Sequence, residues 1–428
     1  MKKTISPQDH NFWSLLRPDV PPLSVDIETE VVVIGGGMAG LTAAQAFAKK
    51  GKKVVLLEAY HCGAGATGKS SGFISPKCEI GFTEFIQRYG EEGAQAIWAS
   101  IEKDGVEHIR STIKEYQIEC DYVEEDSLEV ATSQKSVKSI LTEAENLARS
   151  GFETSFIEKE NIPSLVGTER YYGGVVYPRN FGINAYKYCQ ALKDALQKEG
   201  VEIYEETPVL SVSENSVTTL HATVKADYIV VCTDRFTPDL GKLTKEIYHI
   251  QTFLLASEVL SSVVLQKMFP QRRLMVWDTD LVFTYFRTTG DRLLVGGGSV
   301  LHSYSTHETY HSESIYKKLT HYITDTFQVP EIQFEQMWPG LIGVSKDVAP
   351  LAGPDKDIKS IYYICAAAGL PVAAMLGNYS AKYLLDGADT LKDYFSPYRE
   401  TPIGGILQSI LGTKVTFALS NAISHGSA

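Results

Sequence analysis

The sequence predicts an α/β protein in which a mostly parallel sheet with helices is interleaved with an α+β lobe built on an antiparallel sheet. A β-branched stretch at residues 30–34 leads into a glycine-rich turn at 35–40 and a helical stretch at 41–50. A second apolar stretch follows at 54–57. A strand, turn, helix and strand in that order open a parallel α/β sheet.

The middle of the chain predicts the antiparallel sheet. Four stretches with alternating apolar and polar residues are separated by short turns, as is typical of strands with one buried face. The stretches are 252–259, 274–277, 281–288 and 292–295, and the turns are 278–280 and 289–291.

Helical periodicity predicts the elements between these two regions. Residues 85–116 predict a pair of amphipathic helices broken near Gly90, and residues 186–198 predict a further helix. Residues 228–231 predict a strand of the first sheet, and α/β character returns at 362–385.

The predicted lobes lie between an N-terminal extension, residues 1–28, and a helical C-terminal tail, residues 391–428. The dinucleotide-binding lobe comprises residues 29–84, 165–240 and 335–390. The substrate or cap lobe comprises residues 85–164 and 241–334. We expect the tail to form one or two amphipathic helices that pack on the protein itself, and the alternatives are packing on a partner or attachment to a membrane surface.

Composition argues for a soluble cytoplasmic protein that does not bind nucleic acid. The formal net charge is −12, which disfavours broad nucleic-acid binding. The longest apolar run, 361–377, is short for a membrane span and is interrupted by Gly369 and Pro371. Six sparse cysteines with no C-x-x-C pair favour a reducing compartment.

Residues 35–40 read Gly-Gly-Gly-Met-Ala-Gly, a G-x-G-x-x-G motif between the first strand and helix. Gly35 makes the tight turn, Gly37 lets a pyrophosphate approach the backbone, and Gly40 lets the helix and strand pack closely. Glu58 ends the second strand, where its carboxylate can accept hydrogen bonds from both hydroxyls of a ribose. The motif predicts a Rossmann-type dinucleotide site.

Two further motifs match by letter but lack the required context. Residues 63–70 read as a P-loop, yet three residues separate them from the strand and no helix follows Ser70. We interpret them as a glycine-serine loop beside the same dinucleotide. Residues 307–311 read H-E-x-x-H, but their flanks are polar, which favours a solvated loop over a metal site.

The run 31–44, with Glu58 and the Gly-Ala-Thr-Gly-Lys-Ser-Ser-Gly segment 65–72, resembles the D-amino-acid-oxidase-like (DAO) superfamily of FAD-dependent oxidoreductases. The chain is most similar to the branch of gamma-glutamylputrescine oxidase and glycine/sarcosine oxidase. The resemblance extends over nearly the whole chain, from Phe12-Trp13 to the segment 366–371.

The resemblance implies an FAD in the first lobe and a small-molecule amine or amino-acid substrate. We expect the FAD to be non-covalent, because Gly340 stands where related enzymes attach flavin through a cysteine. Hydride would pass from the substrate's C–N bond to the flavin. No metal is expected, and no oligomeric state is implied. The implied cofactor-binding residues are Gly35, Gly37, Met38, Ala39, Gly40, Glu58, Ala59, Thr67, Lys69, Ser70, Ser71, Val209, Gly340, Gly369 and Leu370. For the four residues 67 and 69–71 the alternative is an ordinary polar loop, and for Val209 it is a core valine.

Tyr285 and Arg287 are the candidate catalytic residues, because alternation places both on one face of the inserted sheet. Arg287 suits a substrate anion, and the alternative is a structural ion pair with Asp347 or another carboxylate. His249 and Trp277 are weaker candidates for the pocket wall.

Three positions depart from the branch that the chain resembles. Gly340 stands where sarcosine oxidases attach flavin through a cysteine, and Leu294 stands where they carry an oxygen-activating lysine. Ala373 stands where they carry a carboxylate-binding lysine. Two alternatives to amine oxidation therefore stay open: a hydroxy-acid dehydrogenase that passes electrons to a quinone or carrier, and a flavoprotein that binds or modifies a larger partner.

Overall fold

Two eight-stranded sheets organise the part of the chain that the structure describes. The structure is a computed structural model, and it describes residues 22–426 apart from 78, 281, 299–308, 310, 330–331, 402, 404–407 and 409–410. Both sheets are built from segments far apart in the sequence. The predicted α/β class with a second, antiparallel sheet is confirmed.

The first sheet is mostly parallel and centres on β1 (Ile27–Ile34), which lies between β2 and β12. Residues 31–34 and all of β2 are buried, as expected for parallel strands covered on both faces. Its other strands are β2 (Val54–Leu57), β9 (Glu202–Tyr204), β10 (Val209–Val212), β11 (Ser216–Thr219), β12 (Thr223–Val231), β18 (Leu351–Pro354) and β19 (Ile361–Cys365).

Helices α1 (Met38–Lys49) and α10 (Leu370–Asp386) pack against each other beside this sheet. A Cβ at Gly377 would lie 2.6 Å from the carbonyl oxygen of Ala39, so the glycine permits the close approach. The predicted strand-to-helix transition after residue 361 is confirmed by β19 and α10.

The second sheet has the strand order β17-β13-β16-β15-β14-β5-β7-β6. All its pairs are antiparallel except β14 with β5, which are parallel. Its strands are β5 (Ser127–Val130), β6 (Ser155–Glu158), β7 (Gly173–Tyr177), β13 (Tyr248–Val259), β14 (Met275–Asp278), β15 (Tyr285–Thr289), β16 (Arg292–Gly297) and β17 (Phe334–Val344).

Two strands of this sheet come from segments that the sequence analysis assigned to the dinucleotide-binding lobe. β7 pairs with β5 and β6, and β17 pairs with β13 over ten residues of each strand. Backbone hydrogen bonding therefore places both strands in the second sheet.

The helical region after residue 81 differs in detail from the predicted pair. Helix α3 (Phe82–Ser100) is interrupted at Gly90, whose φ of +75° is not helical, so the predicted break is confirmed. A π-helix (Ile101–Val106) then leads into α4 (Glu107–Glu115). Gly105 in the π-helix lies against the backbone of Pro371 at the start of α10, where a Cβ would collide with the carbonyl.

Shorter elements complete the described chain. The helices are α2 (Ala66–Lys69), α5 (Gln134–Arg149), α6 (Ile162–Leu165), α7 (Ala185–Lys198), α8 (Ser262–Met268), α9 (Glu313–Phe327) and α11 (Thr413–Gly426), with 3₁₀ turns at Lys159–Asn161 and Asp234–Leu240. A small sheet contains β3 (Phe73–Ile74), β4 (Val123–Glu124) and β8 (Phe181–Gly182). Among the described helices, none has the length and apolar character needed to cross a bilayer.

Candidate active site

A cavity of about 1250 Å³ is lined by residues of both large sheets. One end is formed by the carboxyl ends of β1, β2 and β12, and the other by β5, β14, β15 and the start of α3. Pockets for drug-sized ligands have volumes of about 300–1,000 Å³. The cavity therefore has room for a dinucleotide and a small substrate together.

The glycine turn forms a cradle at the first end. Gly35 has φ +106°, and a Cβ there would lie 2.5 Å from the carbonyl oxygen of Cys232. At Gly37 a Cβ would lie 3.1 Å from Thr67 Oγ1, in the space where a phosphate would approach helix α1. Met38 and Ala39 line the cavity beside them.

Gly40 has the packing role that the motif predicts. It does not line the cavity, and a Cβ there would collide with the Gly35 carbonyl and lie 3.4 Å from Val33 Cγ1. The turn, the helix and the strand can therefore adopt this geometry only with glycine at this position.

Glu58 lines the cavity at the end of β2, and its carboxylate also holds the backbone nearby. The Gly36 amide donates to Oε2 (2.6 Å) and the Tyr60 amide donates to Oε1 (2.9 Å). Each oxygen keeps a lone pair for a ribose hydroxyl. Burial raises the pKa of Glu58 above its ordinary value. Ala59, the next residue, also lines the cavity.

The segment 63–73 forms a loop against the cradle, not a P-loop. Its helix α2 has four residues and is followed by extended backbone at Ser70. Thr67 Oγ1 accepts a hydrogen bond from the Met38 amide (3.1 Å), which ties the loop to the start of α1. Thr67, Lys69, Ser70 and Ser71 all line the cavity, as expected.

The remaining predicted cofactor residues also line the cavity. Val209 lies on β10, Gly340 on β17, and Gly369 and Leu370 at the start of α10. Gly369 has φ +98° and precedes the first turn of the helix. Gly340 offers no side chain to which a flavin could be attached.

These features fit FAD. Gly37 leaves open the space that a Cβ would fill at the start of α1, where a phosphate could approach, and Glu58 can accept hydrogen bonds from a ribose. FAD would be held by these residues, with the loop 69–71 and the segment 366–370 along the rest of the cavity.

Aromatic side chains form the walls at the second end. The rings of Phe73 and Trp277 lie 6.3 Å apart, and those of Phe73 and Tyr285 lie 6.0 Å apart. Gly296 lies beneath the Tyr285 ring, where any Cβ would collide with it. Burial, and to a smaller extent the charge of Glu79, raises the pKa of Tyr285 to about 12, so the phenol is neutral at physiological pH.

Arg287 lies behind this wall and does not line the cavity, so the expected contact with a substrate anion is not supported. The side chain is 1% exposed. Its guanidinium donates to the carbonyl oxygens of Ser71 (Nε, 2.7 Å) and Ile183 (Nη2, 2.8 Å). Arg287 therefore positions the loop that lines the cavity.

The carboxylate near Arg287 is Glu125, with Nη1 3.7 Å from Oε2. Asp347, the partner considered from the sequence, instead pairs with Arg399 (Nη2–Oδ1 2.5 Å). Of the two weaker wall candidates, Trp277 lines the cavity and His249 does not.

Several acidic residues at the second end were missed from the sequence, because no motif marks them. Lys77 pairs with Glu143 (3.1 Å) and lies 3.6 Å from Glu129. Glu79 faces the cavity beside them. These residues come from the loop before α3, from β5 and from α5, so only the tertiary structure brings them together.

Asp278 is a further cavity residue that the sequence did not single out. Tyr322 donates to its Oδ2 (2.8 Å), and the amides of Asp280 and Thr284 donate to its Oδ1 (3.1 Å each). Burial raises the pKa of Asp278 to about 6. The carboxylate therefore fixes the turn between β14 and β15.

Helix α11 packs against β13 and covers part of the cavity. Ala418 and Asn421 line the cavity, and Phe417 is fully buried against Tyr248 and Val348. The predicted packing of the tail on the protein is confirmed for this helix. The predicted apolar residues 406, 407 and 410 lie outside the described residues.

No group of three metal-ligating side chains occurs among the residues that the structure describes. In the H-E-x-x-H stretch, His307 and Glu308 lie outside the described residues, as does Phe12-Trp13 at the N-terminal end of the resemblance.

The sequence model of the family described as "FAD dependent oxidoreductase" (DAO) matches residues 30–384. The chain is 26% identical over 408 residues to the probable oxidoreductase OrdL of Haemophilus influenzae, covering 92% of each chain. It is 30% identical over 285 residues to gamma-glutamylputrescine oxidoreductase of Escherichia coli, covering 65% of this chain and 66% of the relative. The crystal structure of glycine oxidase from Geobacillus kaustophilus shares its fold, with a TM-score of 0.75, 18% identity, and coverage of 88% of this chain and all of the other.

Proposed function

Because the chain belongs to the DAO family of FAD-dependent oxidoreductases, we propose that it oxidises the C–N bond of an amine or amino acid, and that an amine is the better substrate. The observation that carries this proposal is the composition of the cavity. Phe73, Trp277 and Tyr285 lie at its second end together with several carboxylates. The same cavity extends to the glycine turn at its first end.

The basic residues of the cavity wall argue against a substrate whose carboxylate needs a counter-charge. Within the described chain, the lining contains Lys69, Lys77 and Arg235 as its cationic side chains. Lys77 is paired with Glu143, and the Arg235 guanidinium lies over the Phe236 ring (4.1 Å) next to β12. Lys69 belongs to the loop beside the start of α1. A hydroxy acid, which must carry a carboxylate, is therefore less well accommodated than an amine.

FAD, when bound, supplies the hydride acceptor for this reaction. The protein's part is to bind the amine, orient it and exclude water. Phe73, Trp277 and Tyr285 supply flat apolar walls on which an amine can stack. Since Tyr285 is neutral, it can hydrogen-bond the amine without charging it.

Non-covalent attachment of FAD is part of this proposal. Gly340 provides no nucleophile, and the described lining contains no histidine and one cysteine, Cys232, which lies against Gly35 in the glycine turn. Heat or acid denaturation of the purified protein should therefore release all its FAD into the supernatant. Yellow colour retained in the precipitated polypeptide would argue for a covalent bond.

The deciding experiment is anaerobic reduction of the flavin. Amines, N-methyl amino acids, gamma-glutamyl polyamines and hydroxy acids are added one at a time, and the visible absorbance of the flavin is followed. Bleaching by an amine and not by hydroxy acids supports the proposal. Bleaching by hydroxy acids alone, or by none of these compounds while dithionite still reduces the flavin, contradicts it.

Admitting air to the reduced protein then identifies the electron acceptor. Leu294 is fully buried in a cluster with Leu254 and Trp338, so no ammonium group stands at that position. We therefore expect slow reoxidation by oxygen and faster reoxidation by an artificial quinone.

A further inference from the structure

Glu79 is a carboxylate that faces the cavity without a partner. It accepts no hydrogen bond and forms no ion pair with the described residues, although its side chain borders the space between the aromatic wall and the start of α3. Desolvation raises the pKa of Glu79 above its ordinary value, and the charge of Lys77 opposes this rise without cancelling it. A carboxylate in this environment gains from a bound cation.

The neighbouring cation is already engaged elsewhere. Lys77 Nζ lies 3.1 Å from Glu143 Oε1 and 3.6 Å from Glu129 Oε2. Glu143 also accepts the amides of Phe82 (2.7 Å) and Thr83 (2.8 Å), which fixes it at the start of α3. The two carboxylates carry two negative charges, and Lys77 neutralises only one of them. This end of the cavity therefore stays anionic.

Glu79 lies within electrostatic reach of the aromatic wall. Its charge contributes to raising the pKa of Tyr285, whose ring contacts Phe73 and Phe283 (centroids 6.0 and 5.7 Å). A carboxylate near aromatic faces is a favourable setting for an alkylammonium group, which is attracted to both. Glu79 and the aromatic wall thus offer a site for a cation at this end.

The nitrogen held by Glu79 cannot be the one that is oxidised. A C–N bond gives up hydride only when the nitrogen lone pair is free, so the reacting amine must be neutral. A carboxylate stabilises the protonated form instead. Glu79 therefore suits a second nitrogen of the substrate that stays protonated throughout the reaction.

We propose that Glu79 is a specificity-determining residue that binds the distal ammonium group of a diamine or polyamine substrate, while the other amino group is oxidised. This inference rests on the proposed function and narrows its substrate class. In the reaction, the carbon next to the neutral amino group would give a hydride to FAD and the nitrogen would release a proton, and water would hydrolyse the resulting imine to an aldehyde and ammonia. The distal ammonium and the Glu79 carboxylate are unchanged.

The test compares three substrates of equal carbon number that differ at one end: 1,4-diaminobutane, butylamine and 4-aminobutanoate. The FAD-loaded protein is used, and the second-order rate constant of anaerobic flavin reduction is measured for each. Homologous series from four to eight carbons are included, so that a reach longer than four carbons is also detected. We expect the rate constant of the best diamine to exceed that of the best monoamine, and the aminocarboxylates to have the lowest rate constants.

Glu79→Gln should lower the constant for the diamine by about tenfold, since the amide keeps an acceptor oxygen but loses the negative charge that strengthens its bond to an ammonium group. The constant for the monoamine should change by less than about twofold, because it makes no such contact. Glu84→Gln is the control. Glu84 borders the same cavity but is paired with Arg88, so this change should leave the ratio of diamine to monoamine unaltered.

Equal rates for diamine and monoamine in the unmodified protein would overturn the inference, as would a diamine advantage that survives Glu79→Gln. Failure of the proposed function looks different, because then no amine reduces the flavin at all. In that case, the shift of the flavin spectrum is used to measure the affinity of the oxidised protein for the diamine. A lower affinity in Glu79→Gln would support the role of Glu79 in binding the ammonium group, and an unchanged affinity would contradict it.

Discussion

Glu58 connects the glycine turn to the ribose position through one carboxylate. Its two oxygens accept the amides of Gly36 and Tyr60, so its loss would disturb the cradle as well as remove a ribose ligand. We expect Glu58→Ala to weaken FAD binding at least about tenfold, since one hydrogen bond to a charged group is worth about 1.5–3 kcal/mol. Titration of FAD-free protein with FAD, followed by flavin fluorescence, measures this.

Glu58→Gln is the matched control, because the amide keeps the shape of the side chain and one acceptor oxygen. Its affinity should lie between that of the unmodified protein and that of Glu58→Ala. Unchanged affinity in Glu58→Ala would remove Glu58 from the cofactor site.

Asp278 makes stability depend on pH. Its pKa is raised from 3.8 to about 6 in the folded protein, so between these values the folded state binds more protons than the unfolded state. The free energy of unfolding therefore falls as pH rises from about 4 to about 6. Asp278→Asn removes this dependence, so its stability relative to the unmodified protein should increase by about 2–3 kcal/mol as the pH rises from about 4 to above about 6.

Urea unfolding of both proteins between pH 4 and pH 7 measures this difference. Asp280→Asn should reduce the pH dependence only in part, because the charge of Asp280 adds to the burial that raises the pKa of Asp278. A constant difference in stability between Asp278→Asn and the unmodified protein at all these pH values would contradict the assignment.

Arg287 shows where prediction from the sequence stopped. Alternation correctly places Tyr285 and Arg287 on one face of β15, but only Tyr285 reaches the cavity. Arg287 is covered by the Ser71 and Ile183 backbone, from segments more than 100 residues away in the sequence. No local pattern reveals which of two residues on one face will be covered by a distant loop.

At the scale of elements, local patterns predicted the first βαβ unit closely because its parts are adjacent in sequence. The strand at 54–57 and the turn at 35–40 appear as expected, since glycine spacing and β-branched runs act locally. The place of β7 and β17 in the second sheet was not predictable in this way. Their apolar residues would suit either sheet, and pairing with β5, β6 and β13 decides between them.

Helix α11 is docked by buried side chains, among them Phe417 and Asn421. Phe417 is fully buried and lies 5.6 Å from the Tyr248 ring, while Asn421 donates to the carbonyl oxygens of Ser345 and Lys346. Truncating a buried phenylalanine to alanine costs about 3–5 kcal/mol. We expect Phe417→Ala to undock the helix, raising amide hydrogen exchange in residues 413–426 and lowering FAD affinity.

Leu419→Ala is the control on the same helix, because Leu419 is 45% exposed. It should change neither hydrogen exchange nor FAD affinity beyond the small effects usual at surface positions. Equal exchange rates in Phe417→Ala and the unmodified protein would show that Phe417 does not hold the helix in place.

The cavity belongs to the whole molecule, because its wall combines the first sheet, the second sheet and α11. The sequence could indicate the cofactor end, where one continuous motif supplies several of the residues. It could not indicate the second end, where the acidic residues come from separate parts of the chain: Glu79, Glu129, Glu143 and Asp278. This difference explains why the cofactor is better defined than the substrate.

Since FAD would contact both sheets, its removal should destabilise the whole molecule and not one lobe. A ligand that binds only the folded state adds RT ln(1 + [L]/Kd) to the free energy of unfolding, about 2.7 kcal/mol at a hundredfold excess over Kd. FAD-free protein should therefore unfold at a lower temperature, and the midpoint should rise with the logarithm of added FAD. NAD, a dinucleotide without a flavin ring, is the control and should raise the midpoint less.

A cofactor that contacts the first sheet alone would instead give two unfolding transitions, only one of which moves with FAD. Calorimetry distinguishes the outcomes, because a cavity shared by both sheets requires one transition that shifts as a unit.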